Sequence, residues 1–386
     1  MIFLHEPAEG IPPLTGAADI DTMVNTLAAG HGPFSLDTER ARSFRYSSRA
    51  YLIQIRREGS GTFLLDPVGN EERLQPLASL LTTDEWILHA ADQDLPSLRE
   101  LGLSPATIFD TEIAGALLGL DHIGLQAEVE HVLGIHLDKE ETQSDWSARP
   151  LTRAQKAYAA LDVELLLPLR NALAAQLDQR GRLEWLRQEC DYIRDQPPRE
   201  QKPNPWVHTA RQEHLSKPRS IAMFQALWQA RDDEGKRLDI APEKILPSRM
   251  LAKLANRQPR SLSDISNSPL LASGHRKDHA QAYWDAIKDI WKIRFVDLPH
   301  TLPRPPRPEP LVDDAVKRWN IVRPAILAHA SRLGIQQEYL LKPTIQRKVS
   351  IVGWEENHLQ DVLLHLGARP WQAEQADIAI TQYSGA

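Results

Sequence analysis

The spacing of apolar and polar positions changes character along the 386-residue chain. In the first 90 residues, apolar side chains come in short runs rich in β-branched and aromatic residues. These are Phe34 to Asp37 (FSLD), Ala50 to Arg56 (AYLIQIR), Gly61 to Leu65 (GTFLL) and Glu85 to Ala90 (EWILHA). Runs of this length and composition predict four strands. From Thr152 to about Arg194 the apolar residues recur at helical spacing instead. Strands followed by helices predict an α/β domain with a mixed sheet. Past residue 206, Leu, Ala and Trp stand at helical spacings, as in IAMFQALWQARDD from Ile221, and no segment reads as a strand. That part predicts small all-α bundles.

Proline divides these regions. Gln196 to Pro205 reads QPPREQKPNP and Thr301 to Pro310 reads TLPRPPRPEP. Proline lacks an amide donor and keeps the preceding residue out of the α region, so both stretches predict extended linkers. Three modules result, at 1–195, 206–300 and 311–386. A faint echo joins the last two. Ile245-Leu246-Pro247 before SRMLAKL resembles Leu340-Leu341-Lys342-Pro343 before TIQRKV, once one gap is allowed.

Composition narrows the class. A single cysteine, Cys190, excludes an internal disulfide and any multi-cysteine zinc site. No apolar run is long enough for a membrane span, and the opening MIFLHEPAEGIPP lacks a basic segment ahead of an apolar one. The expectation is a cytoplasmic protein with no membrane partner and no obligate protein partner. Charge is unevenly placed. Residues 1–196 hold 17 Lys and Arg against 31 Asp and Glu, a net −14. Residues 197–310 hold 20 against 13, a net +7, and the remainder is neutral. An acidic front suits divalent cations and a basic middle suits a polyanion.

Three places hold side chains able to carry chemistry. Asp37 and Glu39 flank Thr38 at the end of the first predicted strand, and strand residues two apart share a face. Asp92 and Asp94 follow the fourth strand, with His89 at its end; a helix capped by one of the aspartates is expected to start near Leu95-Pro96. Tyr158 and Asp162 stand four apart in KAYAALDVELLLPL, neighbours on one helix face among small alanines that let another element approach. Hard cations such as Mg²⁺ take oxygen ligands, and two of them about 4 Å apart can clamp a phosphodiester. A nearby tyrosine can orient the attacking water.

The order of these segments resembles the bacterial ribonuclease D family of the DEDD 3′–5′ exonuclease superfamily. LDTE at Leu36 to Glu39 is similar to its first motif, RAYLIQI at Arg49 to Ile55 to its second strand, and HAADQDL at His89 to Leu95 to its second motif. FDTEIAGALLG at Phe109 to Gly119 resembles the helix that follows, with Asp110 in a supporting role. The stretch from Ser144 to Leu169 resembles the third motif, with the tyrosine-type YxxxD spacing at Tyr158 and Asp162. Phe224 to Ala255 resembles an HRDC domain, and residues 311–386 a second, divergent HRDC-like one.

The resemblance implies a ribonuclease H-like mixed sheet flanked by helices, followed by two small helical domains. It implies that Asp37, Glu39, Asp94 and Asp162 bind two divalent cations, Mg²⁺ or Mn²⁺, with Tyr158 beside the nucleophilic water. In the second motif it selects Asp94 over Asp92. It implies removal of mononucleotides from RNA with a single-stranded 3′ end, tRNA precursors among the substrates. A DNA-directed 3′–5′ exonuclease and a non-catalytic nucleic-acid-binding protein are the alternatives. One departure stands out. The loop after Glu39 is richer in arginine than is usual for the family, and Arg40, Arg42, Arg45 and Arg49 are candidates to face phosphates.

Overall fold

A computed structural model describes residues 2–137, 144–197, 203–272, 274–304, 309–355 and 357–384. The strands are β1 (Ile2–Leu4), β2 (Leu14–Thr15), β3 (His31–Arg40), β4 (Ala50–Glu58), β5 (Gly61–Leu65), β6 (Glu85–Leu88), β7 (Thr107–Asp110) and β8 (Ile135–Leu137). Six form one sheet in the order β2-β5-β4-β3-β6-β7. β3 and β5 run antiparallel to β4, whereas β6 and β7 continue parallel to β3. The sheet is therefore mixed. β3 lies inside it, with Phe34 and Leu36 wholly buried.

Among the described residues, the helices flanking the sheet are α1 (Ile20–Ala29), α2 (Gln75–Leu81), α3 (Ala91–Glu100), α4 (Thr111–Leu118), α5 (Leu125–Leu133), α6 (Arg153–Glu164), α7 (Leu166–Gln179) and α8 (Leu183–Asp195). The helical stretch from Thr152 is thus three helices, interrupted at Leu165 and at Arg180 to Arg182. The segment Phe109 to Gly119 begins as strand, and its helix starts at Thr111. Helix α3 starts at Ala91 rather than near Leu95. Ala90, in the left-handed region at φ 58°, turns the chain four residues earlier, and Pro96 falls inside the helix.

The rest of the chain is helical among the described residues. The middle module holds α9 (Trp206–Gln212), α10 (Pro218–Leu238), α11 (Pro242–Ile245), α12 (Ser248–Arg257), α13 (Leu262–Ser266) and α14 (Ala280–Ile287). The last module holds α15 (Asp314–Leu333), α16 (Gln337–Leu340), α17 (Pro343–Val352), α18 (Leu359–His365) and α19 (Pro370–Ser384). The sequence echo becomes a backbone repeat here, and no gap is needed. Leu246 (φ −150°, ψ 116°) matches Leu341 (φ −158°, ψ 117°), and Pro247 matches Lys342, each just before a ten-residue helix.

The two modules are attached differently. The middle one has its own core, including Phe224, Leu227, Leu251 and Tyr283. It meets the sheet domain through the loop between β3 and β4 and through Tyr51 at the start of β4. Tyr46 Oη donates to Asp232 Oδ2 (2.9 Å), the Ser47 amide to Asp239 Oδ1 (2.9 Å) and the Ala241 amide to Phe44 O (3.0 Å). The last module instead shares one apolar core with the sheet domain, through Val322, Ile326, Leu363 and Trp371. Trp371 stacks on Trp185 at 4.6 Å between centroids. The Arg369–Glu189 ion pair (2.7 Å) is buried at the same seam. No described helix is long and apolar enough to cross a membrane.

Candidate active site

Asp37 and Glu39 share a face of β3, as strand geometry requires. They meet Asp162, carried toward them by α6. That helix starts at a capping box between Thr152 and Gln155, which fixes its rotation. Ala159 and Ala160 are fully buried against β4 and β5, so the helix lies close to the sheet. One carboxylate oxygen from each of Asp37, Glu39 and Asp162 falls within 4.8 Å of the others. They line a cavity of about 500 Å³ with Tyr158, Asp94, Arg40 and His89. Asp92 lies outside it, on the wall of a second cavity between the sheet domain and the last module.

Asp94 enters from the other side. The left-handed turn at Ala90 points two amides, from Ala90 and Ala91, at the Asp110 carboxylate (3.1 and 2.8 Å). Asp110 also caps α4 by accepting from the amides of Glu112 and Ile113. One carboxylate thereby joins the starts of two helices. This fixes the first turn of α3, where Asp94 is buried. Thr38 Oγ1 donates to Asp94 Oδ1 (2.7 Å), and Arg40 Nη1 lies 2.5 Å from the same oxygen. Asp94 is thus beside the trio but bonded to a cation of the chain itself.

The electrostatics follow from crowding. Burial raises the Asp37 carboxyl well above the usual range, and Asp94 and Asp162 raise it further while Arg40 opposes. Glu39 is raised well for the same first reason, then by Asp37 and Asp162. Burial pushes Asp162 up to about 7, against a hydrogen bond from Tyr158. Asp94 is raised by burial and held down by Arg40. The Tyr158 hydroxyl is driven upward by burial and by these acids, so it keeps its proton. Carboxylates left facing one another in a cavity fit a hard divalent cation, which relieves the repulsion.

Of the remaining candidates, His89 bonds through Nδ1 to Thr111 Oγ1 (2.8 Å), and burial lowers it to about 4, so its ring is neutral. Arg45 bonds Ser147 Oγ (2.8 Å), and Arg49 lies over the Tyr51 ring. Sequence reasoning missed Glu112 and Glu128. Glu128 is fully buried, neither of its oxygens has a hydrogen-bond partner among the described residues although His89 Nδ1 lies 3.9 Å from Oε2, and burial lifts it to about 9. Only its helical spacing marked it, and spacing does not distinguish a buried acid from a solvated one.

Comparison with known proteins agrees with this geometry. Residues 14–178 match a 3′–5′ exonuclease family model, 220–287 an HRDC domain, and 308–382 a 3′ to 5′ exonuclease C-terminal domain. Ribonuclease D of Zymomonas mobilis is 32% identical over 300 residues, covering 75% of each chain. Ribonuclease D of Sphingobium indicum is 30% identical, covering 78% of this chain and 79% of that one. A crystal structure of a protein from Bifidobacterium adolescentis covers 100% of both chains at 30% identity, with a TM-score of 0.86. Escherichia coli RNase D, an exoribonuclease involved in structured RNA processing, shares the fold, with a TM-score of 0.63 at 23% identity. A mixed sheet with clustered acids, joined to an HRDC domain, defines a 3′–5′ exonuclease. Within that class the chain belongs to the ribonuclease D family, and its activity is that of a 3′–5′ exoribonuclease.

Proposed function

We propose that Asp37, Glu39, Asp94 and Asp162 hold two divalent cations, Mg²⁺ or Mn²⁺, that Tyr158 orients the attacking water, and that the terminal phosphodiester of RNA is cleaved there. The observation that carries this reading is the convergence of Asp37, Glu39 and Asp162 within 4.8 Å in one cavity. When bound, such ions activate water and stabilise the leaving 3′ oxygen. The chain's own part is distinct. β3 and α6 present three carboxylates at fixed spacing. Thr38, Arg40 and Asp110 orient Asp94. Tyr158 retains its proton, which it donates to Asp162, and its hydroxyl oxygen is left to accept from the attacking water.

The substrates are RNAs with single-stranded 3′ ends, tRNA precursors among them, and the setting is the cytoplasm. Domain limits at 1–195, 206–300 and 311–386 assign catalysis to the first module and RNA holding to the basic second. The shared backbone geometry at Leu246 and Leu341 supports an HRDC-like origin for the third. The test is a gel of 5′-labelled single-stranded RNA, with DNA of the same sequence beside it, in Mg²⁺, Mn²⁺ or EDTA. Shortening from the 3′ end in metal, lost in EDTA and in Asp37→Ala, is expected. Shortening that persists in Asp37→Ala would refute the assignment, and faster loss of the DNA would refute the substrate class.

A further inference from the structure

Arg40 is mostly covered, its side chain 15% exposed, on the wall of the acidic cavity. All its hydrogen bonds among the described residues leave from one nitrogen. Nη1 donates to Asp94 Oδ1 (2.5 Å), Gln93 O (2.6 Å) and Thr38 Oγ1 (3.1 Å). Nε and Nη2 donate to nothing among the described residues. A guanidinium is planar, and the N–H groups of Nε and Nη2 form a fork that matches two oxygens of a phosphate. The bonded nitrogen fixes the plane, so this fork is already oriented, and a charged donor in a poorly solvated cavity binds an anion more strongly than one in water.

A second observation points the same way. Arg42, two residues on, is exposed and makes no hydrogen bond among the described residues. Partial burial of its head and then the charge of Arg40 disfavour its guanidinium, with Asp94 opposing. Two cations near each other, with donors unused, are relieved by an anion. Carboxylates alone would repel the phosphate that the reaction must bring among them.

We propose that Arg40 is a phosphate-binding residue of the catalytic centre, pinning Asp94 through Nη1 while offering Nε and Nη2 to the two non-bridging oxygens of the terminal phosphodiester of RNA. This rests on the assignment of the centre given above. It differs from a counter-ion role, in which Arg40 serves Asp94 alone.

The experiment compares adenosine 5′-monophosphate, which carries the phosphate of a released nucleotide, with adenosine, which lacks it. Both are titrated calorimetrically into the full-length protein in Mn²⁺, as wild type, Arg40→Met and Arg40→Lys. Arg40→Met should weaken the monophosphate by about 10-fold or more, the scale of losing a charge-assisted hydrogen bond. Adenosine should change by less than about twofold, which also shows that the variant is folded. Arg40→Lys, with charge but no fork, should fall between. Equal weakening of both ligands, no change in either, or a loss of the monophosphate matched by an equal loss of Mn²⁺ affinity in the same calorimeter, reduces Arg40 to a counter-ion and overturns the proposal alone. A wild type with no Mn²⁺-dependent preference for the monophosphate overturns the assignment of the centre as well.

Discussion

Asp110 and the trio Asp37, Glu39 and Asp162 are all acids withdrawn from bulk water, yet the fold treats them in opposite ways. Asp110 receives the amides of Ala90, Ala91, Glu112 and Ile113. The trio receives far less: Gln54 Nε2 at 3.3 Å and the Thr38 backbone on Asp37, and Tyr158 on Asp162. Burial raises Asp110 only to about 6 because those amides oppose it, whereas Asp37 and Glu39 are driven well up. Saturated by backbone donors, an acid builds structure. Facing other acids across a cavity, it stores repulsion that a ligand releases.

The comparison breaks first at Asp37. Asp37→Asn should cut exonuclease turnover by on the order of 10³-fold, the scale of losing a principal electrostatic stabiliser. It should leave the melting temperature of the metal-free protein unchanged or higher, because a repelling charge is gone. A lower melting temperature would show Asp37 to be structural. Asp110→Asn should do the reverse, costing about 3 kcal/mol of stability because a carboxylate accepting several amides is replaced by a group with one acceptor oxygen. Chemical denaturation reads this. Turnover at saturating metal should fall far less than in Asp37→Asn, and equal losses would merge the two sets.

The trio also sets a pH dependence. Its folded-state values lie above those of the unfolded chain, so the metal-free protein holds more protons folded than unfolded. Stability from this source is complete at low pH and is lost as pH rises through the folded values, about 7 for Asp162. The melting temperature in EDTA should therefore decline from pH 5 to pH 8, and Mn²⁺ should reverse the decline. A rise over that range without metal would contradict the crowding. The smallest effect is expected at Glu128, a neutral carboxyl at neutral pH because its value is raised to about 9. Glu128→Gln should alter stability by less than about 1 kcal/mol, as a near-isosteric neutral exchange does. Gly115→Ala should cost more, since its added carbon would stand 1.8 Å from Glu128 Oε1.

Much of the trio was legible in the sequence because its spacings are local. Asp37 and Glu39 follow from a period of two, and Tyr158 and Asp162 from a spacing of four. Asp94 over Asp92 needed the family resemblance, since both sit in the first turn of α3. What spacing could not give was the reason α3 starts where it does. Its support comes from Asp110, twenty residues away and on another strand. The short strand β7 was hidden for a similar reason: four residues, TIFD, run straight into a helix. Arg40 read as one of four loop arginines. It is the last residue of β3, where the pairing with β4 slips register, and only the packed sheet and α3 bring it to Asp94.

The way the middle module is fastened has a mechanical consequence. Phe44, Tyr46 and Ser47, which hold it, belong to the loop strung between β3 and β4. Contact with that module therefore reaches the sheet domain just past the strand bearing Asp37 and Glu39 and, through Tyr51 Oη donating to Asp239 Oδ2 (3.2 Å), at the start of β4.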